Sequence, residues 1–214
     1  MIYSENIFVC MIVPILVTLI FAKGNARRLE LNFMIGMTVC LLGAYISGFF
    51  NAVSGMGVEN TAIFVSPVVE EAMKFLPLFF YFYMFEPDDD SIFLAAVGIG
   101  AGFASFENVC YMVSSGAESL SFLLIRGLAV GVMHIVSVYA SVFGLVIARK
   151  LKAMRISSVV GALSLSMLFH GTYNLLVSAP GITSYIGFAV PLLTAVAMLL
   201  AMRRLHQAEK SSPS

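Results

Sequence analysis

Apolar runs of about 17 to 25 residues, each long enough to cross a bilayer, can be laid end to end along nearly all of this 214-residue chain. Only short polar breaks interrupt them, at 23–30, 51–61, 86–91, 114–119, 149–155 and 178–184. A backbone inside lipid must satisfy its own amides, so each run has to be a helix. The reading is an all-α polytopic membrane bundle of about seven transmembrane helices, one integral-membrane domain over 1–214. Hydrophobic residues make up 60% of the chain and charged ones 11%, which leaves no stretch for a soluble domain.

The first run, Asn6 to Ala22, lacks a basic leader and a small-x-small cleavage site, and Lys23, Arg27 and Arg28 follow it. It reads as a retained anchor rather than a signal peptide. Cys10, Cys40 and Cys110 fall inside apolar runs without a CxxC pair, as small apolar filler. Zero net charge and the lack of a basic, aromatic-interleaved stretch exclude nucleic acid as a partner.

Basic residues orient the bundle. Lys23, Arg27 and Arg28 lie in the first break, Arg149, Lys150, Lys152 and Arg155 in the fifth, and Arg203, Arg204 and Lys210 in the tail over 203–214. Ten of the twelve therefore share one side. By the positive-inside rule that side is cytoplasmic, with the N-terminus outside and the C-terminal tail inside. The acidic third break is tolerated there, because Asp and Glu contribute little to the rule.

The other charges sit within spans. Glu70, Glu71 and Lys74 lie in the third, Glu107 in the fourth and Arg126 in the fifth, joined by His134 in the fifth and His170 and Asn174 in the sixth. At roughly 2.5 to 3.5 kcal/mol each, the five charges cost on the order of 12 to 18 kcal/mol before pairing, which calls for a compensating use. Counted from the breaks, Glu70, Glu107, His134 and His170 lie about six to fourteen residues below the outer face, roughly 9 to 21 Å at the helical rise. Glu70 with Lys74, Glu107 with Tyr111, and His170 with Asn174 are i,i+4 pairs, each on one helix face. Blander roles exist for three of these: Lys74 neutralising a glutamate, Tyr111 an interface aromatic, Asn174 interhelical glue. They leave Glu70, Glu107, His134 and His170 unexplained.

Four pieces in order, Glu70-Glu71-Ala72-Met73-Lys74 (EExxK), Phe106 to Tyr111 (FExxxY), Arg126 with His134 eight residues on, and His170 to Asn174 (HxxxN), resemble the PrsW family of bacterial and archaeal membrane proteases, distant relatives of the CAAX prenyl endopeptidases. The segment Glu86-Pro87-Asp88-Asp89-Asp90-Ser91 departs from the acidic-Pro-x-Asp-Gly stretch common there, which bears on that loop and not on the membrane site. The resemblance places the catalytic helices at about 62–178. It implies a multi-pass cell-membrane endopeptidase that cuts a membrane protein within the bilayer near the outer face, as in site-1 cleavage of an anti-sigma factor.

By the same resemblance, Glu70 with His134 would activate a water, and His170 with Asn174 would hold the oxyanion. Glu71, Lys74, Glu107 and Arg126 would support them. A divalent metal such as zinc is the competing mechanism, because two histidines and one carboxylate, here His134, His170 and Glu107 or Glu70, form a common hydrolytic ligand set. The balance leans toward the metal-free form. Two other classes remain at this stage: a proton- or ion-coupled transporter, since such groups also make relays, and a silent scaffold that keeps the cluster for helix assembly. No repeat between halves favours the transporter. Pro67 and Pro77 bracket the first motif and predict a kinked or opened helix. Gly98, Gly100 and Gly102 read as a close-packing face.

Overall fold

The structure is a computed structural model describing residues 3–116 and 119–211. Parts of the 114–119 break and of the 203–214 tail lie outside those residues. The chain forms α1 (Ser4–Thr18), α2 (Gly24–Ser54), a single turn α3 (Val58–Asn60), a π-helical turn (Thr61–Val65), α4 (Ser66–Phe85), α5 (Asp89–Ser115), α6 (Leu120–Lys150), a 3-10 turn (Lys152–Met154), α7 (Arg155–Ser178) and α8 (Ile182–Ser211). Among the described residues there is no strand. The polytopic helical bundle is as expected.

The seven-span count meets two departures. Among the described residues, five helices are long and apolar enough to cross a membrane: α2, α5, α6, α7 with its preceding 3-10 turn, and α8. Helix α4 is long enough at 20 residues but carries Glu70, Glu71 and Lys74. Helix α1 has 15 residues, about 22 Å at the helical rise and short of the hydrocarbon thickness.

The breaks are also shorter than hydropathy suggested. Arg27 and Arg28 belong to the first turns of α2, and Arg203 and Arg204 continue α8 rather than a free tail. Polarity marks where a helix leaves lipid; propensity and caps mark where it stops. Gly24–Glu30 is rich in helix formers, whereas Gly55 ends α2 and Glu86 ends α4 in the left-handed region, at φ 65° and 45°. Asp88 caps α5 by accepting from the Ser91 N–H at 2.7 Å, a bond that also holds its carboxyl below the ordinary range.

Glycines set the core. A Cβ at Gly102 would collide with the Phe33 carbonyl, one at Gly36 with the Ile99 carbonyl, and one at Gly98 would lie 2.7 Å from Asn32 Cβ. Helices α2 and α5 therefore pack backbone against backbone. Gly100, on the other face, lets α5 approach Ile135 of α6, where a Cβ would come within 2.9 Å of its Cα. We expect Gly102→Ala to lower stability by about 1 to 3 kcal/mol through overpacking, read as a lower melting temperature in detergent. Gly48→Ala, which meets open space on α2, should melt like the wild type; equal melting of both variants would refute the close packing.

Polar ties gather one end of the bundle. Arg149 at the end of α6 donates to the Pro87 carbonyl at 2.6 Å and pairs with Asp89, which Lys150 also approaches at 3.2 Å. Arg28 of α2 donates to Ser91 of α5 at 3.2 Å. The basic residues of α2 and α6 thus meet at a single face, opposite the turns that lead into α4 and α6.

Candidate active site

Four helices bring the buried polar residues together. Pro67 begins the arrangement: it has no N–H to offer the preceding turn, and the chain there runs as the π-helical turn Thr61–Val65. The opening lies just ahead of Pro67, whereas α4 runs unbroken from Ser66 to Phe85 through the motif and Pro77. Asn174 of α7 fastens the π turn by donating to the Ala62 carbonyl at 2.9 Å. Gly171 of α7 faces the same turn, where a Cβ would make ordinary contact with Ile63 O at 3.6 Å.

From α4, Glu71 and Lys74 point into the sealed centre, 1% and 0% exposed. Lys74 Nζ donates to Glu71 Oε1 at 2.6 Å and to His134 Nδ1 at 2.8 Å, with the Phe103 ring 4.5 Å from the ammonium. An ammonium has only donors, so Nδ1 of His134 accepts. Its proton then sits on Nε2, which donates to Glu107 Oε2 of α5 at 2.5 Å. From α7, His170 Nδ1 donates to Glu71 Oε1 at 2.8 Å, leaving its Nε2 lone pair 3.7 Å from Glu70 Oε2.

Each histidine is therefore oriented by its own carboxylate, His134 by Glu107 and His170 by Glu71, and the two rings meet edge to face with centroids 5.0 Å apart. Glu70 Oε2 is buried and has no hydrogen-bond partner among the described residues. Glu70, His134 and His170 each offer a ligand atom, and the three lie within 4.8 Å of one another. The carboxylate that converges with the histidines is Glu70. Glu107, the other candidate from sequence, is not part of that trio and engages the Nε2 edge of His134.

Arg126 extends the cluster outward. Its guanidinium lies over the Tyr111 ring at 3.6 Å and 3.4 Å from Glu107 Oε1. Asn174, expected beside His170 at the reacting centre, spends its amide on the π turn instead, a position one helical turn farther along α7. Of the cluster's acids, Glu107 is the most open at 34% exposure, against 18% for Glu70.

Sequence reasoning missed the serines. Ser137 Oγ lies 3.1 Å from Glu71 Oε1, and Ser166 donates to the Ser137 carbonyl at 2.7 Å while sitting 2.9 Å from Ser141 Oγ. Ser137 is three residues beyond His134 and Ser166 four before His170, spacings that put them on the same faces. That signal was available, but serine is too common in membrane helices for it to stand out.

A divalent cation fits this donor set: two imidazoles, an unpartnered buried carboxylate oxygen, and a second carboxylate behind each histidine, the arrangement that fixes ring orientation around metals. The Lys74 ammonium on His134 Nδ1 is the one group that would have to yield. No curated protein and no solved structure gives a significant match to the chain. The description PrsW family intramembrane metalloprotease matches residues 24–202, a span that contains all four site helices and most of the sequence. The chain is thus a multi-pass membrane protease belonging to the PrsW family.

Proposed function

We propose that this protease is an endopeptidase that cuts a membrane protein near the extracytoplasmic face, with Glu70, His134 and His170 holding a divalent metal. The observation that carries this reading is the convergence of one ligand atom from each within 4.8 Å, together with the unpartnered Glu70 Oε2. Bound there, the metal would supply a Lewis acid and lower the pKa of a water.

The chain's own residues do the rest. Glu71 and Glu107 hold the two imidazoles in place. Glu107 bonds the Nε2 edge of His134, opposite the Nδ1 that would face a metal, so it acts through that ring by fixing its tautomer and orientation. Arg126, 3.4 Å from Glu107 Oε1 and stacked on Tyr111, holds that carboxylate in place from the outer side. Asn174 acts by fastening the turn ahead of Glu70.

The metal-free alternative, in which Glu70 with His134 activates water, draws support only from Lys74 standing on His134 Nδ1 where a metal would bind; its ammonium would have to leave that nitrogen in either mechanism. Metal analysis of purified protein with cleavage assays before and after chelation separates the two. We expect a stoichiometric divalent metal and loss of cleavage on its removal, restored by re-addition; full activity without metal would leave the glutamate mechanism. The family resemblance points to a single-span anti-sigma factor as substrate, in a bacterial or archaeal cell membrane. Co-reconstitution with such a substrate and mapping of the cut bond tests this, and cleavage confined to its cytoplasmic side would overturn the orientation, which rests on the one-sided basic residues.

A further inference from the structure

About 22 Å along α6 from His134 at the helical rise, the ends of α4 and α6 and the start of α7 line a cavity of about 390 Å³. Phe82, Tyr83, Glu86, Arg149, Lys152 and Arg155 wall it, three cations against one carboxylate. Arg149 is already engaged by Asp89 and the Pro87 carbonyl, with its guanidinium 4.9 Å from the Phe82 ring. Lys152 and Arg155 have no carboxylate partner among the described residues. Arg155 instead lies 5.3 Å from the Tyr83 ring, which holds it at the cavity.

The same short segment alternates these cations with bare apolar side chains. Leu151, Met154 and Ile156 are 52%, 49% and 79% exposed. A site for a soluble anion has no use for such flanks. A lipid does: its charged headgroup sits at the interface while its chains run down the helix surface.

We propose that this cavity binds the phosphodiester headgroup of an anionic membrane phospholipid. Lys152 and Arg155 supply the neutralising charge, Tyr83 and Phe82 form the floor, and the acyl chains lie along Leu151, Met154 and Ile156. Glu86 on the cavity wall disfavours ligands carrying more negative charge than a diester. The site is separate from the hydrolytic centre, so its test reads binding and not cleavage.

The test uses detergent-purified full-length protein titrated with phosphatidylglycerol, with phosphatidylcholine of the same chains, and with inorganic phosphate, alongside thermal melts. We expect saturable binding of phosphatidylglycerol and weak binding of phosphatidylcholine. With each interfacial cation worth about fivefold, Lys152→Gln with Arg155→Gln should weaken phosphatidylglycerol about twenty-fivefold at an unchanged melting temperature. The charge-keeping pair Lys152→Arg with Arg155→Lys should retain binding, and so should Lys150→Gln, whose side chain pairs with Asp89 outside the cavity wall. Equal affinity for the two lipids, or an equal loss in Lys150→Gln, would overturn the site; displacement by inorganic phosphate at equal concentration would overturn its assignment to lipid.

Discussion

Glu70→Gln is expected to lose about a hundred- to ten-thousandfold in turnover, the range for removal of a positioned acid or base, while keeping the wild-type fold. The exchange is nearly isosteric, and the Glu70 Oε2 oxygen has no hydrogen bond to lose. Glu71, Lys74, His134 and His170 would keep all of their mutual contacts. Folding and chemistry are therefore separable at this position, unlike at the sealed residues. Measured together, metal content and turnover distinguish the mechanisms: both fall if Glu70 is a ligand, and turnover alone falls if it is the base of a metal-free reaction. Wild-type turnover in Glu70→Gln would remove it from either scheme.

Lys74→Met should act on the fold itself. The Lys74–Glu71 pair is wholly buried, and removing one partner of a buried ion pair costs about 3 to 5 kcal/mol, because the remaining charge is left uncompensated. Glu71 would keep only His170 and Ser137 as donors. We expect a large drop in melting temperature in detergent and poor recovery of folded protein. Adding Glu71→Gln to Lys74→Met removes the stranded charge and should restore much of that stability, though not cleavage, since His170 then loses its orienting carboxylate. If the single variant melts like the wild type, the pair is not a structural element.

Much of this arrangement could be read from residue order, for a physical reason. In lipid the cost of a charge is so high that Glu70, Glu71, Lys74, Glu107 and Arg126 announce themselves, and helical spacing gives the face on which each lies. The meeting of α4, α5, α6 and α7 at one level follows from counting residues. What counting could not supply is partnership. Which carboxylate serves which histidine depends on helix rotation and tilt, and so Glu107 was as good a ligand candidate as Glu70. Asn174 misled because sharing a face with His170 placed it near the centre, whereas one helical turn carries it to the Ala62 carbonyl. Helix ends were misjudged where charged helix formers such as Arg27 and Arg28 prolong an apolar segment. The glycine contacts were legible on α5, because Gly98 and Gly102 share a face, but their partner helix was not.

The three charges on α4 bear on how the protein is made. Taken alone, a helix that carries Glu70, Glu71 and Lys74 faces a cost of roughly 7 to 10 kcal/mol for entering the bilayer, and its own Lys74–Glu71 contact offsets only part of this. The remaining donors, Ser137 and His170, are synthesised 66 and 99 residues after Glu71. The apolar residues of α4 offset part of the cost as well, and we expect its insertion to be completed only once α6 and α7 have been made. A nascent chain stalled before His170 should therefore be more extractable and more sensitive to quality-control proteolysis than the full chain.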